Sequence, residues 1–276
     1  MLRSMITATN TMTQLQRQID VIGHNLANID TNGYKKTSTS FQELMRQELN
    51  NQPDVEREVG RLTPYGLRLG AGAKLDQQLV FKQGALRNTG RELDVALLQK
   101  DQFLQVEVDG QIRYTRDGAL YLSPANDGTN RLMLVTKDGY SVLDENQNPI
   151  YLDDRFRELA ISNDGTITAL PKNDGDLPQV INLGVVQFNR PSMIVSLGDN
   201  LYGLQDLGNV PITDVLTNLT GNLRSEVNMK QGALETSNVD LTEEMTDLLM
   251  AQRSYQLNAR SITLGDQMLG LINSVR

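Results

Sequence analysis

The sequence predicts an α+β protein in which long N- and C-terminal helices form a coiled coil and the middle of the chain forms an antiparallel all-β domain. Apolar residues repeat at spacings of three and four near the N-terminus, and at every seventh residue near the C-terminus. Such heptad spacing is typical of helices that pair. In the middle the apolar period changes to two, and six Asp-Gly dipeptides, which type I′ hairpin turns favour, interrupt it.

The first element is a helix predicted within residues 1–34. Its apolar residues form one narrow seam, whereas a helix lying on a globular core, the alternative for this segment, usually shows a wider stripe. We expect the helix to end between Asn28 and Gly33, because glycine readily takes the left-handed conformation that stops helices. The seam residues are Met5, Ala8, Met12, Leu15, Ile19, Ile22, Leu26 and Ile29.

Residues 35–74 contain several prolines and glycines and are predicted to be a connecting region with one short helix after Phe41. Residues 75–230 are predicted to form the β domain. It should contain a meander between Gln102 and Ser123 that turns at two of the Asp-Gly dipeptides. The six dipeptides are Asp109-Gly110, Asp117-Gly118, Asp127-Gly128, Asp138-Gly139, Asp164-Gly165 and Asp174-Gly175.

Two short segments of the chain resemble each other. Residues 83–90 begin with Gln-Gly-Ala-Leu, and residues 231–238 begin with the same four residues. Two copies of this length do not make a repeat protein, for which at least three stacked units are needed. We interpret them as the points where the chain enters and leaves the β domain, with chance similarity of four identical residues as the alternative.

The last element is a helix within residues 231–276, predicted to pair through 239–276 with the N-terminal helix. Asp240 is a suitable N-cap, and Glu243 stands at the capping-box position. Two apolar stripes repeat every seven residues and differ by roughly 200° around the axis, so they face opposite directions. The second stripe therefore needs a further partner. The first stripe is Leu241, Leu248, Tyr255, Ile262 and Leu269, and the second is Met250, Leu257, Leu264 and Leu271.

Composition argues against most enzyme chemistry. The 276 residues include no cysteine, no tryptophan and one histidine, and the net charge is -8. A thiolate nucleophile, a cysteine-based zinc site and a site with two imidazoles are therefore excluded, and the acidic balance disfavours nucleic-acid binding. His24 points away from the seam and is expected to be solvated or at an interface, and Lys35 and Lys36 are expected to be solvated. We predict no catalytic residue, cofactor or metal ion.

The two ends of the chain strongly resemble the flagellar basal-body rod and hook protein family. Residues 20–35 match the N-terminal signature, except that His24 stands where the pattern often has Asn, and residues 231–245 and 251–256 match the C-terminal one. The middle is similar to the rod-type β domain, although Gln99–Phe103 replaces a Gly-x-Gly-Phe-Phe element. The signature residues are Asn25, Leu26, Ala27, Asn28, Thr31, Gly33, Tyr34, Lys35, Ser237, Asn238, Val239 and Asp240.

This resemblance implies an inner tube of packed terminal helices with the β domain outside it, so helices of neighbouring subunits would cover the second stripe. It also implies export by the flagellar type III apparatus to the basal body. The N-terminus has no apolar region of a cleaved signal, which fits that route. Phe41 and Met45 match the Phe-x-x-x-apolar element that the export gate reads. A helix start capped by Ser38 or Ser40 is the equal alternative for these residues.

The leading hypothesis is a non-enzymatic structural subunit of the flagellar rod that transmits torque from motor to hook. Its implied partners are copies of itself, other rod and hook proteins and the export apparatus, with no nucleic acid and no small-molecule substrate. A hook or hook-junction protein of the same family is one alternative. A secreted coiled-coil and β-domain binding module is another, and an enzyme that uses His24 is a third.

Overall fold

The computed structural model describes residues 2–43, 47–49, 67–69, 73–125, 131–172, 177–205, 208 and 210–274. The chain divides into two compact units. The first contains Met1–Leu26, Thr37–Gln78 and Leu241–Arg276, and the second contains Ala27–Lys36 and Leu79–Asp240. We call the first the helical unit and the second the β unit.

The helices in chain order are α1 (Leu2–Ala27), α2 (Ile212–Val215) and α3 (Leu241–Ser274). The strands up to residue 124 are β1 (Thr37–Glu43), β2 (Gln47–Leu49), β3 (Leu67–Leu69), β4 (Ala73–Leu79), β5 (Leu86–Asn88), β6 (Val95–Leu97), β7 (Gln102–Val108), β8 (Gln111–Thr115) and β9 (Leu120–Pro124). The later strands are β10 (Arg131–Thr136), β11 (Ser141–Val142), β12 (Tyr151–Asp153), β13 (Phe156–Ile161), β14 (Thr166–Pro171), β15 (Gln179–Asn182), β16 (Val185–Phe188), β17 (Ile194–Gly198), β18 (Leu201–Leu204), β19 (Leu216–Asn218), β20 (Met229–Gln231) and β21 (Ala233–Glu235).

Both long terminal helices are present, and the paired strands between them are antiparallel, which confirms the predicted α+β class with a central antiparallel domain. Helix α3 begins at Leu241, directly after Asp240, as the capping pattern predicts, and has Glu243 and Glu244 in its first turn. Helix α1 ends at Ala27, directly before the predicted range of Asn28 to Gly33. Gly33 lies six residues beyond this end, so it is not the residue that terminates the helix. The left-handed φ of +70° at Gly33 serves a later turn.

A short helix that starts at Phe41 is wrong, and most of residues 44–66, which follow, lie outside the described residues. Phe41 lies inside strand β1, which pairs with β4 in a two-stranded sheet. The β-branched and hydroxyl side chains of Thr37 to Ser40 favour an extended backbone over a helix. The alternative of a helix cap at Ser38 or Ser40 fails for the same reason. Met45 lies outside the described residues.

Strand β7 is the centre of the β unit. It pairs with β8 along one edge and with β11 and β16 along the other. Strand β8 also pairs with β18, and β17 forms the end of this ten-stranded sheet. Phe103 in β7 is fully buried and meets the rings of Phe188 and Tyr202 edge-on.

Three Asp-Gly turns join hairpins as predicted. Asp109 and Gly110, with φ of 51° and 72°, connect β7 to β8. Asp138-Gly139 connects β10 to β11, and Asp164-Gly165 connects β13 to β14, with positive φ at both glycines. Asp127-Gly128 and Asp174-Gly175 lie outside the described residues.

Asp117-Gly118 is not a hairpin turn, and the predicted meander is therefore wrong in its third strand. Strand β9 pairs with β10 instead of β8. Gly118 is needed for a close backbone approach: its carbonyl accepts from the Val95 amide at 3.0 Å, and a Cβ atom on Gly118 would lie 1.6 Å from the Val95 carbonyl oxygen.

The Gly118→Ala variant is expected to lower the free energy of unfolding by about 2–3 kcal/mol, because the added methyl meets backbone that cannot rotate away. Urea unfolding measures this change. The matched variant is Gly23→Ala in α1, where a Cβ atom meets nothing within 4 Å, so stability there should stay equal or rise by up to ~1 kcal/mol. Equal stability of Gly118→Ala and the parent would contradict the close approach.

The two similar segments lie against each other. Strand β5 of the first pairs with β21 of the second, with Leu86 opposite Glu235 and Asn88 opposite Ala233. The neighbouring strands β6 and β20 pair as well. Strands near the C-terminal end of the β unit thus pair with strands that lie about 140 residues earlier in the sequence.

Candidate functional site

The predicted seam residues of α1 are all at least partly covered. Leu15 and Ile22 are buried, and Met5, Met12, Ile19 and Leu26 are half-buried. On α3, the first stripe is half-buried at Leu248, Tyr255, Ile262 and Leu269, while Leu241 at the helix start is 49% exposed.

Helices α1 and α3 meet at two points inside the helical unit. A Cβ atom on Gly265 would lie 3.2 Å from Cγ of Met5, and Nδ2 of Asn25 donates to Oε2 of Glu244 at 3.1 Å. The first contact joins the start of α1 to the later part of α3, and the second joins the end of α1 to the start of α3. The two helices are therefore antiparallel.

Asn25 also fixes the chain that follows α1. Its Nδ2 donates to the Thr37 carbonyl at 3.0 Å, and its Oδ1 accepts from the Thr37 amide at 3.0 Å. The side chain is 1% exposed, so each of these hydrogen bonds satisfies a group that water does not reach. This gives Asn25 of the N-terminal signature a clear structural role.

The second stripe of α3 is exposed over its whole length. Met250, Leu257, Leu264 and Leu271 are 54%, 62%, 59% and 67% exposed. Large apolar side chains exposed in a row along one helix face are typical of an interaction site. We call these four residues the outer stripe.

A buried cluster of charges lies in the β unit, and we call Lys35, Arg116 and Glu235 the clasp. The Glu235 Oε1 atom accepts from Lys35 Nζ at 2.7 Å and from the Gly84 amide at 2.8 Å. Its Oε2 atom accepts from Arg116 Nε at 2.9 Å and Nη2 at 2.7 Å. The three side chains are at most 1% exposed.

Arg116 also binds backbone carbonyls of the segment between β6 and β7 and of the first residue of β7. Its Nη1 atom donates to the carbonyl oxygens of Gln99 at 2.9 Å, Lys100 at 2.6 Å and Gln102 at 2.9 Å. The planar guanidinium has enough donors for both the carboxylate and these carbonyls, which an ammonium would not reach in this geometry.

Asn238 of the C-terminal signature extends the same network. Its Oδ1 accepts from the Lys36 amide at 2.7 Å, and its Nδ2 donates to the carbonyls of Val80 and Lys82 at 2.8 and 2.9 Å. The Gly33 amide donates to the Glu235 carbonyl at 2.8 Å. The two terminal signatures thus bind each other directly.

Burial changes the acid–base properties of the cluster. Desolvation, and then the nearby charge of Arg116, lower the pKa of Lys35 to about 8, against the opposing effect of Glu235. Burial also raises the pKa of Tyr202, whose hydroxyl accepts from the Lys35 amide at 3.3 Å.

The expectation that Lys35 is solvated is wrong. The side chain is buried because Glu235, 200 residues later, supplies the counter-charge and the Lys82 carbonyl supplies a second acceptor. The sequence pattern does not single out Arg116 and Glu235, because a single sequence does not show which distant charges pair. His24 is exposed.

Gln99 and Gln102, where the chain departs from the family pattern, line a polar cavity of about 580 Å³ with Asp101. Among the described residues, no group of histidine, aspartate and glutamate side chains is placed to hold a metal ion. None of the helices described is long and apolar enough to cross a membrane.

Three regions of the chain match known protein families. Residues 5–35 match the flagella basal body rod protein family, residues 98–169 the flagellar hook protein FlgE/F/G D1 domain, and residues 230–275 the C-terminal region of flagellar basal body rod FlgEFG proteins. The chain is 49% identical to the flagellar hook-basal body complex protein FlhP of Bacillus subtilis over 278 aligned residues, which cover 100% of both chains.

The chain belongs to the flagellar basal-body rod protein family. The rod protein FlgG of Agrobacterium fabrum is 32% identical over 99% of this chain and 98% of its own length. FlgG of Borreliella burgdorferi is 30% identical over 100% of this chain and 99% of its own.

Each clasp residue of this rod-family chain lies in a different matched region. Lys35 is in the first, Arg116 in the second and Glu235 in the third. The cluster is therefore the place where the three family segments are joined by charge.

Between about pH 8 and 10, the free energy of unfolding is expected to rise with pH. The unfolded chain holds the Lys35 proton up to the ordinary pKa of 10.5, whereas the folded chain releases it near 8, so unfolding takes up a proton in this window. The expected gain is about 1–3 kcal/mol. Urea titrations at about pH 7.5 and 9.5 measure it.

The Lys35→Met variant should show a smaller rise between these two pH values, because it has no group to titrate. The exposed lysine variant Lys82→Met is the matched control and should keep the parental pH dependence. An identical rise in the parent and Lys35→Met would contradict this origin of the pH dependence.

Proposed function

We propose that this protein is a non-enzymatic structural subunit of the bacterial flagellar basal-body rod, part of the axial drive shaft that transmits torque from motor to hook. The outer stripe carries the proposal. It leaves apolar residues exposed along a face of α3 that the subunit's own seam does not use. Burying such side chains stabilises an assembly by about 1.5–3 kcal/mol each.

We infer that α1 and α3 pack as an antiparallel coiled coil and that helices of neighbouring subunits cover the outer stripe. The antiparallel contacts and the half-buried seams support the first part. The proposed assembly interface is Met5, Met12, Leu15, Ile19, Ile22, Leu26, Leu241, Leu248, Met250, Tyr255, Leu257, Ile262, Leu264, Leu269 and Leu271. Its partners are further copies of this chain and other rod and hook proteins.

The family supports a location in the basal body, which requires export. We propose the flagellar type III apparatus as the route. Phe41 is 43% exposed in β1, and in the unfolded chain it would be available to that apparatus together with Met45.

Labelling of isolated hook–basal bodies tests the proposal. An antibody against an epitope tag on this chain is expected to mark the rod between the motor rings and the hook. In cells whose flagellar type III export is blocked, the protein should be missing from the envelope fraction and be recovered in the cytoplasm. Label along the hook would support the hook alternative, and unlabelled basal bodies would overturn the assignment.

A further inference from the structure

The clasp holds two cations with one carboxylate where water does not reach. Lys35 Nζ and Arg116 Nη2 each lie 2.7 Å from an oxygen of Glu235, and the side-chain exposures are 0%, 0% and 1%. Among the described residues, Glu235 is the carboxylate that forms ion pairs with both cations, and Asp101 has only a smaller favourable electrostatic effect on Lys35. The three clasp side chains therefore have a net charge of +1, and the two cations alone have +2.

Arg116 belongs to the β unit independently of the chain ends. Its Nη1 atom donates to three carbonyls from Gln99 to Gln102, at the start of β7, so these hydrogen bonds hold the guanidinium without Glu235. Lys35 must be buried next to this fixed positive charge. Desolvation and Arg116 both oppose a charged Lys35 here, which the lowered pKa of Lys35 also reflects.

The C-terminal signature supplies two further hydrogen bonds to the segment 32–36. The Gly33 amide donates to the Glu235 carbonyl, and the Lys36 amide donates to Asn238 Oδ1 at 2.7 Å. The rest of the β unit supplies Tyr202 for the Lys35 amide, and Asn200, whose Nδ2 donates to the Asn32 carbonyl at 2.7 Å. Without β21 the segment would keep its hydrogen bonds to the rest of the β unit, including the one from the Val80 amide to the Lys36 carbonyl at 2.9 Å, but Lys35 would be a buried cation beside Arg116 without its ion-pair partner.

We propose that Glu235 gates the docking of residues 32–36, so that the N-terminal signature joins the β unit only after the C-terminal signature is in place. The carboxylate turns a repulsion between Lys35 and Arg116 into two ion pairs. Because Glu235 follows Lys35 by 200 residues, the N-terminal segment stays undocked until nearly the whole chain is available. Residues 32–36 therefore dock stably only when both ends of the chain are present.

Hydrogen exchange in the full chain near pH 7 tests the gate. The isosteric variant Glu235→Gln is expected to speed exchange of the Gly33, Lys35 and Lys36 amides by about 100-fold, because it leaves two buried cations without a counter-charge. Amides inside the main sheet, such as Leu134 and Leu143, should exchange as in the parent. If the Gly33, Lys35 and Lys36 amides exchange at the parental rate in Glu235→Gln, the proposed gate is overturned.

The double variant Lys35→Met/Glu235→Gln separates the gate from simple damage to β21. Removing the repelled cation should restore protection of the Gly33 and Lys36 amides to within about tenfold of the parent. Lys82→Met/Glu235→Gln, which removes an exposed lysine instead, should restore nothing. If Glu235→Gln unfolds globally, the same rescue by Lys35→Met is still required. A double variant as unprotected as Glu235→Gln would overturn the proposal.

Discussion

The Leu257→Asp variant should fold as the parent does and fail to enter the basal body. Leu257 is 62% exposed in the single chain, so replacing it removes little buried surface from the folded subunit. In the proposed assembly the same position is covered by a neighbouring helix. An ionised carboxylate buried there without a partner costs several kcal/mol at every copy of the interface.

Two measurements separate folding from assembly. Urea unfolding of purified Leu257→Asp should match the parent to within about 0.5 kcal/mol, the range typical of exposed positions. The amount of the variant in isolated hook–basal bodies should fall by at least about tenfold, together with motility. Gln256→Asp is the matched control, because this exposed neighbour faces about 100° away from the outer stripe. Normal incorporation of Leu257→Asp would contradict the proposed role of the outer stripe.

Local patterns were enough to predict the terminal helices and part of the β unit. The heptad spacing and the cap at Asp240 are properties of neighbouring residues, so they can be read without knowledge of the fold. The Asp-Gly turns at 109, 138 and 164 were predicted correctly for the same reason. Asp117-Gly118 is the same dipeptide but does not form a hairpin turn. A glycine is needed there because the backbone of Val95 leaves no room for a Cβ atom.

The clasp shows what a single sequence hides. Lys35 stands beside another lysine, a context that usually means a solvated side chain, and its counter-charge lies at the far end of the chain. Residues 83–90 and 231–238, which resemble each other in sequence, are neighbours through β5 and β21. Their similarity does not indicate that they pair, nor which charges are buried between them.

The Arg116→Met variant should have the largest effect on stability of the single chain, lowering the free energy of unfolding by about 4 kcal/mol or more. The substitution removes the Arg116 donors of the buried Gln102 carbonyl and of one buried Glu235 oxygen, and it also removes the hydrogen bonds to the carbonyls of the exposed residues Gln99 and Lys100. Buried groups that lose their partners cost about 1–3 kcal/mol each, and a broken buried ion pair about 3–5 kcal/mol.

Urea unfolding monitored by circular dichroism measures this loss, with Arg113→Met as the control, because the Arg113 guanidinium donates to the exposed Gln111 side chain. The control should stay within about 1 kcal/mol of the parent. Equal stability of the two variants would contradict the role given to Arg116.

Arg116 is one cause of the lowered pKa of Lys35, so the Arg116→Met variant should have a higher Lys35 pKa than the parent. The free energy of unfolding of this variant should therefore rise less between about pH 8 and 10 than that of the parent.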